Sequence, residues 1–173
     1  MYDILFITGA PGSGKSTAAL FLAQKIEKSV LLSGDDLRAM VVGGGMNPAE
    51  AWTSEQREQY ILSFQSEALL AKNFISAGYK VIIEDVVDPR LGLWDEWQKC
   101  FAGLNYTKVL LAPALEVVLE RNSTRGMNVP DAVVTAFHGN LSRETLPDWP
   151  IVDSTNQTLE ETVEGIKSVS GWQ

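Results

Sequence analysis

The sequence predicts a three-layer α/β fold, a five-stranded parallel sheet with helices on both faces. Three observations carry that expectation. Strand-like apolar runs alternate with helix-like patterns along all 173 residues. The runs at 3–8, 80–84 and 107–111 are largely apolar, as strands covered on both faces are. The first run leads straight into a glycine-rich turn and then a helical pattern, the order of a strand–loop–helix unit.

Strands are expected at 3–8, 29–33, 80–84, 107–111 and 150–153. Helices are expected at 15–27, 35–42, 54–77, 93–101, 115–124, 131–145 and 159–169. The apolar start from Ile4 to Ile7 is too short for a signal-peptide core and lacks a basic leader, so it reads as the first strand. Helix 54–77 opens with a capping box, Thr53 with Gln56, and Gly78 follows its last turn. Helix 159–169 has the same box in Thr158 and Glu161, and Leu159, Val163, Ile166 and Val169 form one stripe for the core. Met40, Met46, Trp94 and Trp97 are likewise read as core residues. Without repeats or a linker-like tract, the chain reads as one domain over 1–173. Segments 43–48 and 125–130 interrupt helical patterns where a flap could hinge, which puts a small lid at about 121–135.

Composition narrows the function. Hydrophobic residues make up 45% and charged residues 21%, ordinary values for a chain that buries a core. The 22 acids against 14 bases leave a net charge of −8. Such a chain has no bulk attraction for a nucleic-acid backbone or an anionic membrane, so any phosphate must be held by a few placed cations. Six acids and one base between 144 and 173 supply −5 of that charge. One cysteine, Cys100, excludes an internal disulfide and a cysteine-based zinc site. One histidine, His138, excludes a histidine cluster, and on a helix it reads as structural. No stretch approaches the roughly 20 apolar residues of a membrane span. A reduced, cytoplasmic protein without a membrane partner is expected.

The sharpest signal is Gly9-Ala10-Pro11-Gly12-Ser13-Gly14-Lys15-Ser16-Thr17, which fits G-x-x-x-x-G-K-[ST] between a strand and a helix. Glycines let the backbone wrap tightly, so successive N–H groups form an anion nest. The helix that starts near Lys15 adds its positive end. Lys15 suits the β and γ phosphates of a nucleoside triphosphate, and the Ser16 hydroxyl suits the accompanying Mg²⁺.

Three further segments bear on what happens to the phosphate. In a parallel sheet, ligands lie beyond the carboxyl ends of the strands. The second strand ends at Gly34-Asp35-Asp36-Leu37-Arg38, and a carboxylate there can take the proton of an attacking hydroxyl. Asp35 is the better base, whereas Asp36 reads equally well as a helix N-cap. The third strand ends in Glu84 and Asp85, which can hold a metal's water shell or orient an arginine. Without such partners they would be a costly pair of like charges. Arg121 and Arg125, four apart on a helix face, would neutralise a transferring phosphoryl group from a closing lid. Trp52 reads equally as an aromatic wall for an acceptor or as an anchor of the helix after it.

These residues together resemble the small P-loop kinases. That group includes the kinase domain of phage-type polynucleotide 5′-kinases, chloramphenicol phosphotransferases and zeta-toxin-like kinases. The similarity rests on the glycine-rich loop, on Gly-Asp-Asp-Leu-Arg, on Val81-Ile82-Ile83-Glu84-Asp85, and on Arg121-Asn122 through Arg125-Gly126 to Val129-Pro130. It implies a P-loop NTPase fold with ATP and Mg²⁺ as cofactors. Asp35 is then the general base, Arg38 contacts substrate or the transition state, and Asp85 braces Arg38. Arg121 and Arg125 become lid arginines on the phosphates, and segment 151–155 lies near the adenine. Ser16 would hold the metal, with Asp85 or Glu84 acting through water.

The resemblance leaves the acceptor open, and the acidic balance is wrong for gripping a long polyanion. The 173 residues are expected to hold no phosphatase or ligase domain beside the kinase-like one. The leading expectation is a Mg-ATP-dependent kinase acting on a hydroxyl of a small molecule, with Asp35, Lys15, Arg38 and Arg125 as its catalytic residues. Two alternatives remain. One is a polynucleotide 5′-hydroxyl kinase, for which the chain offers only scattered lysines. The other is a nucleotide-driven ATPase or switch acting on a protein partner, although neither a guanine-reading Asn-Lys-x-Asp element nor a second NTPase signature occurs.

Overall fold

The computed structural model describes residues 2–45, 52–124 and 129–172. Among them, five strands form one parallel sheet: β1 (Ile4–Thr8), β2 (Ser29–Ser33), β3 (Lys80–Glu84), β4 (Tyr106–Leu111) and β5 (Ile151–Val152). The strand order is β2-β3-β1-β4-β5. β1 is central, pairing Ile4 with Val81 on one side and with Tyr106 on the other. All of β1 is buried, which explains its apolar run: alternate side chains enter two different cores.

Seven helices belong to the described residues: α1 (Lys15–Gln24), α2 (Gly34–Ala39), α3 (Ser54–Ser76), α4 (Leu93–Cys100), α5 (Leu115–Ser123), α6 (Asp131–Asn140) and α7 (Leu159–Ser170). Leu5 and Ile7 pack with Leu22 of α1 and with Val163 and Ile166 of α7. Ile4 and Phe6 pack on the opposite face with Phe64 of α3 and Trp97 of α4. The fold is therefore the three-layer α/β arrangement that the alternation predicts. Both capping boxes form; at α3 the Thr53 N–H donates to Gln56 Oε1 at 3.0 Å and the Gln56 N–H to Thr53 Oγ1 at 3.2 Å.

Trp94 and Trp97 are core residues, as expected; Trp97 stacks on Phe101 with ring centroids 3.8 Å apart. Other expectations change, beginning with two helix ends: α1 stops at Gln24 and α2 at Ala39, each three residues short. Met40 is 73% exposed and Val169 43% exposed, because α2 has ended before Met40 and Val169 lies in the last turn of α7, past the covered stripe. The helix expected over 131–145 stops at Asn140. There Thr145 Oγ1 accepts from the Ser142 N–H at 3.1 Å and donates to the Asn140 carbonyl, and these local bonds replace the helical ladder. Met46 and the tip of the expected lid, 125–128, lie outside the described residues. No described helix is long and apolar enough to cross a membrane. His138 is structural, its Nε2 donating to the Pro113 carbonyl at 2.9 Å.

One core residue is unexpected. Glu67 of α3 is fully buried, its Oε2 accepting from Trp97 Nε1 at 3.1 Å, and its Oε1 has no hydrogen-bond partner among the described residues. Burial pushes its carboxyl well above the ordinary range, and the nearby Asp85 charge adds to the effect against the opposing pull of Arg38. A carboxyl raised in the fold binds its proton more tightly than in the unfolded chain. Glu67 therefore costs stability progressively as pH rises above its ordinary value of 4.5. Glu67→Gln keeps the acceptor for Trp97 and removes the charge. Thermal unfolding should show the variant a few degrees more stable than the wild type at pH 8, with the two converging near pH 4.5.

Candidate active site

The turn between β1 and α1 is shaped by glycines that no other residue could replace. Gly12 and Gly14 have φ of +90° and +93°, in the left-handed region. A Cβ on Gly12 would lie 2.5 Å from the Val118 carbonyl oxygen, and one on Gly9 2.6 Å from that of Leu111. The loop is thus wrapped tightly between β4 and α5. α1 then begins from its N-cap Gly14 without a side-chain cap, and uncapped N–H groups at a helix start suit an anion. Ser13 Oγ, buried in the same loop, has no hydrogen-bond partner among the described residues. Arg121 of α5 closes one side, donating from Nη1 to the Ser13 carbonyl and from Nη2 to that of Ser154, each at 3.3 Å.

Lys15 and Ser16 meet Glu84 from the end of β3. Lys15 is 4% exposed and its Nζ is 3.9 Å from Glu84 Oε2, to which Ser16 Oγ donates at 3.0 Å. Burial raises the Glu84 carboxyl above its ordinary value, and the Lys15 ammonium opposes the shift. A serine hydroxyl beside a carboxylate is a hard oxygen donor set suited to Mg²⁺, and the buried ammonium and orphaned Ser13 hydroxyl suit the phosphates that accompany it. No group of three His, Cys, Asp or Glu that could hold a metal ion occurs among the described residues.

The register of β2 on β3 sets Ser33 opposite Glu84 and brings α2 over the end of β3. Arg38 of α2 is 6% exposed and forks onto Asp85, with Nη1 to Oδ2 at 2.8 Å and Nη2 to Oδ1 at 2.6 Å. Nη2 also reaches Asp35 Oδ1 at 2.6 Å, and Nη1 reaches Ser63 Oγ at 3.1 Å. The guanidinium lies 4.1 Å from the centre of the Tyr60 ring. Burial alone would lower the Arg38 pKa; Asp85 and Asp35 outweigh it and hold the guanidinium charged. Ser33, not Asp36, caps α2, accepting from the Asp36 N–H at 3.3 Å. The N-cap reading of Asp36 is corrected: its side chain sits in the first turn, exposed.

Three cavities run through this site. One of about 210 Å³ is lined by Ser13, Gly14, Thr17, Arg121, Ser154 and Gln157, on the side of segment 151–155. A second, of about 120 Å³, lies between Lys15, Ser16, Asp35 and Tyr60. Val133 and Phe137 of α6 complete it and, with Tyr60, also wall a third cavity of about 340 Å³ between α3 and α6. The phosphate loop is therefore flanked by two recesses, with Asp35 between the loop and the larger one.

The structure brings together Gly9, Ala10, Pro11, Gly12, Ser13, Gly14, Lys15, Ser16, Thr17, Arg121, Asp35, Arg38, Glu84 and Asp85 as the motifs suggest. Arg125 lies outside the described residues. Trp52 lines the large cavity, its ring 5.4 Å from that of Tyr60. The sequence reading missed Tyr60, Ser63 and Glu67. Their signal was present: with Gln56 they repeat at helical spacing on the buried face of α3, where apolar residues belong. It also missed Asn122, which is fully buried and donates from Nδ2 to the Val129 carbonyl at 2.7 Å, tying α5 to the segment before α6.

Gly34 is what lets Arg38 and Asp85 meet. A Cβ there would stand 2.1 Å from Asp85 Oδ2. Gly34→Ala must displace that carboxylate and strand a buried guanidinium. Denaturant unfolding should register a loss of roughly 3–5 kcal/mol.

Comparison with known proteins agrees with this geometry. The L-seryl-tRNA(Sec) kinase of Methanococcus maripaludis is 26% identical over 165 residues, covering 91% of this chain and 60% of that protein. The chain spans 43–66% of the length of the curated relatives it matches. The Deinococcus radiodurans tunicamycin resistance protein superposes with a TM-score of 0.72 at 16% identity, covering 100% of this chain and 98% of that one. A sugar kinase from Janibacter sp. HTCC2649 superposes with a TM-score of 0.71 at 20% identity, covering 98% and 94%. Those two likenesses show a shared fold. The family match runs over residues 4–143, from the first buried strand to the turn after α6. The chain accordingly belongs to the AAA domain family AAA_33.

Proposed function

We propose that the protein is a Mg-ATP-dependent kinase that transfers the γ-phosphate to a hydroxyl of a small molecule seated between α3 and α6. One observation carries the reading: the recess at Lys15, Ser16 and Asp35 shares Tyr60, Val133 and Phe137 with the 340 Å³ cavity. An acceptor in that cavity would present its hydroxyl beside Asp35, facing the phosphate loop. The kinase names of its relatives support the same reaction class.

In this reading the loop N–H groups and Lys15 hold the phosphates, and the recess at Ser154 and Gln157 takes the nucleoside. Ser16 would hold Mg²⁺, which supplies charge neutralisation on the phosphates when bound. The Asp35 carboxylate accepts the acceptor's proton as the hydroxyl oxygen bonds to the γ-phosphorus. The bond from that phosphorus to the β,γ-bridging oxygen breaks, and ADP leaves with the electron pair. Arg38, held charged by Asp85, orients Asp35 through Nη2, and Arg121 and Arg125 offset charge on the phosphates. No lysine or arginine lines the acceptor cavity among the described residues, which favours a small acceptor over a polynucleotide end.

An ADP-release screen over antibiotics, nucleosides, sugars and short 5′-hydroxyl oligonucleotides tests the reaction. Asp35→Asn should lower acceptor-dependent ADP release at least about 100-fold while nucleotide affinity persists. Lys15→Ala should abolish nucleotide binding in calorimetry. Unchanged turnover in Asp35→Asn would remove Asp35 as the base. ADP release that ignores every acceptor and rises with a protein partner would replace the kinase by an ATPase switch.

A further inference from the structure

We infer that the acceptor is an alcohol with an apolar, ring-bearing body and no negative charge. The inference rests on the kinase reading above and names the chemical class of its second substrate.

The large cavity is walled by Trp52, Tyr60, Leu91, Val133 and Phe137. The Trp52 and Tyr60 rings, 5.4 Å apart and tilted by 50°, form a continuous aromatic side. Its volume of about 340 Å³ is at the lower end of the range that encloses drug-sized ligands. Gln56, Asp88 and Asn140 also line the cavity and can serve one or two hydroxyls, but a body made mostly of hydroxyls would lose its hydration against the rings beyond what those three groups return. A ring or branched alkyl body would replace poorly held water and bury apolar area.

Charge narrows the class further. The only ionisable carboxyl among the described lining residues is Asp88, which is 1% exposed. It accepts from the Arg90 N–H at 2.8 Å and from Asn140 Nδ2 at 2.6 Å, both neutral donors. No ion pair to Asp88 is formed among the described residues. The guanidinium behind Tyr60 is engaged by Asp85, Asp35 and Ser63. A carboxylate, sulfate or phosphate on the acceptor would be desolvated beside Asp88 with no cation among the described lining residues to answer it, whereas a hydroxyl or ammonium would be welcomed.

The test pairs binding with turnover. The probes are 3-phenylpropan-1-ol and phenylalaninol, set against gluconate and a 5′-hydroxyl dinucleotide. Each is titrated calorimetrically into the full chain with Mg²⁺ and a non-hydrolysable ATP analogue, and each is assayed for ADP release. Ala136 lies on the exposed rim of the cavity, so Ala136→Trp fills it without touching the core, and its thermal midpoint checks the fold. The expected result is that the two aryl alcohols bind best and that Ala136→Trp weakens them at least tenfold. If they bind in this way without releasing ADP, the cavity's chemistry stands and the kinase reading falls. Preferred turnover of gluconate or the dinucleotide overturns the inference and leaves the kinase standing. Failure of both aryl alcohols to bind, or binding indifferent to Ala136→Trp, also overturns it.

Discussion

The fork between Arg38 and Asp85 is the contact on which the rest of the site depends. It joins α2 to the end of β3, and it forms only because β2 and β3 are neighbours in register and Gly34 has no side chain. Asp85 alone would be a buried anion next to Glu84, and Arg38 alone a buried cation; breaking such a pair costs about 3–5 kcal/mol. Because the fork is bidentate and backed by Ser63 and Tyr60, the guanidinium has one orientation, and through Nη2 it gives Asp35 one orientation as well. An exposed carboxylate in the first turn of α2 is thereby positioned by a buried network.

The same economy governs the phosphate end. A chain of net charge −8 places Lys15, Arg38 and Arg121 within one crevice and binds each to a defined neighbour. The backbone supplies further positive potential at no cost in side-chain charge, through the nest around Gly12 and Gly14 and the start of α1. Asn122 extends the order outward by bonding to Val129 on both its amide groups, which ties α5 to the residues ahead of α6. α6 then lines both the recess at Lys15 and Ser16 and the 340 Å³ cavity, so the wall of one is set by the other.

Much of this was legible in the sequence. The glycine loop needed no fold to be recognised, since its conformation follows from which residues tolerate positive φ. Asp35, Arg38 and Asp85 could be named because they stand just after apolar strands, and strand ends in a parallel sheet face one crevice. Tyr60, Ser63 and Glu67 were passed over, although they repeat on one face of α3, because a polar residue at helical spacing is ordinarily a solvated one. Only the sheet lying beneath α3 turns that face into a buried one. The end of α6 was misplaced for a local reason, the competing side-chain bonds around Thr145. Met40 and Val169 were misread because hydrophobicity alone does not reveal where a helix leaves its neighbour.

By itself the sequence determined the order of elements, the phosphate loop and the acids and arginines at the strand ends, all local or periodic properties of the chain. Tertiary structure decided which of those groups touch. Asp85 is 47 residues from Arg38, and Lys15 is 69 from Glu84, separations that strand pairing alone closes. It also decided the 340 Å³ cavity, whose walls come from α3, the turn after β3 and α6. No spacing rule links those three segments. Their meeting depends on how helices pack over a twisted sheet.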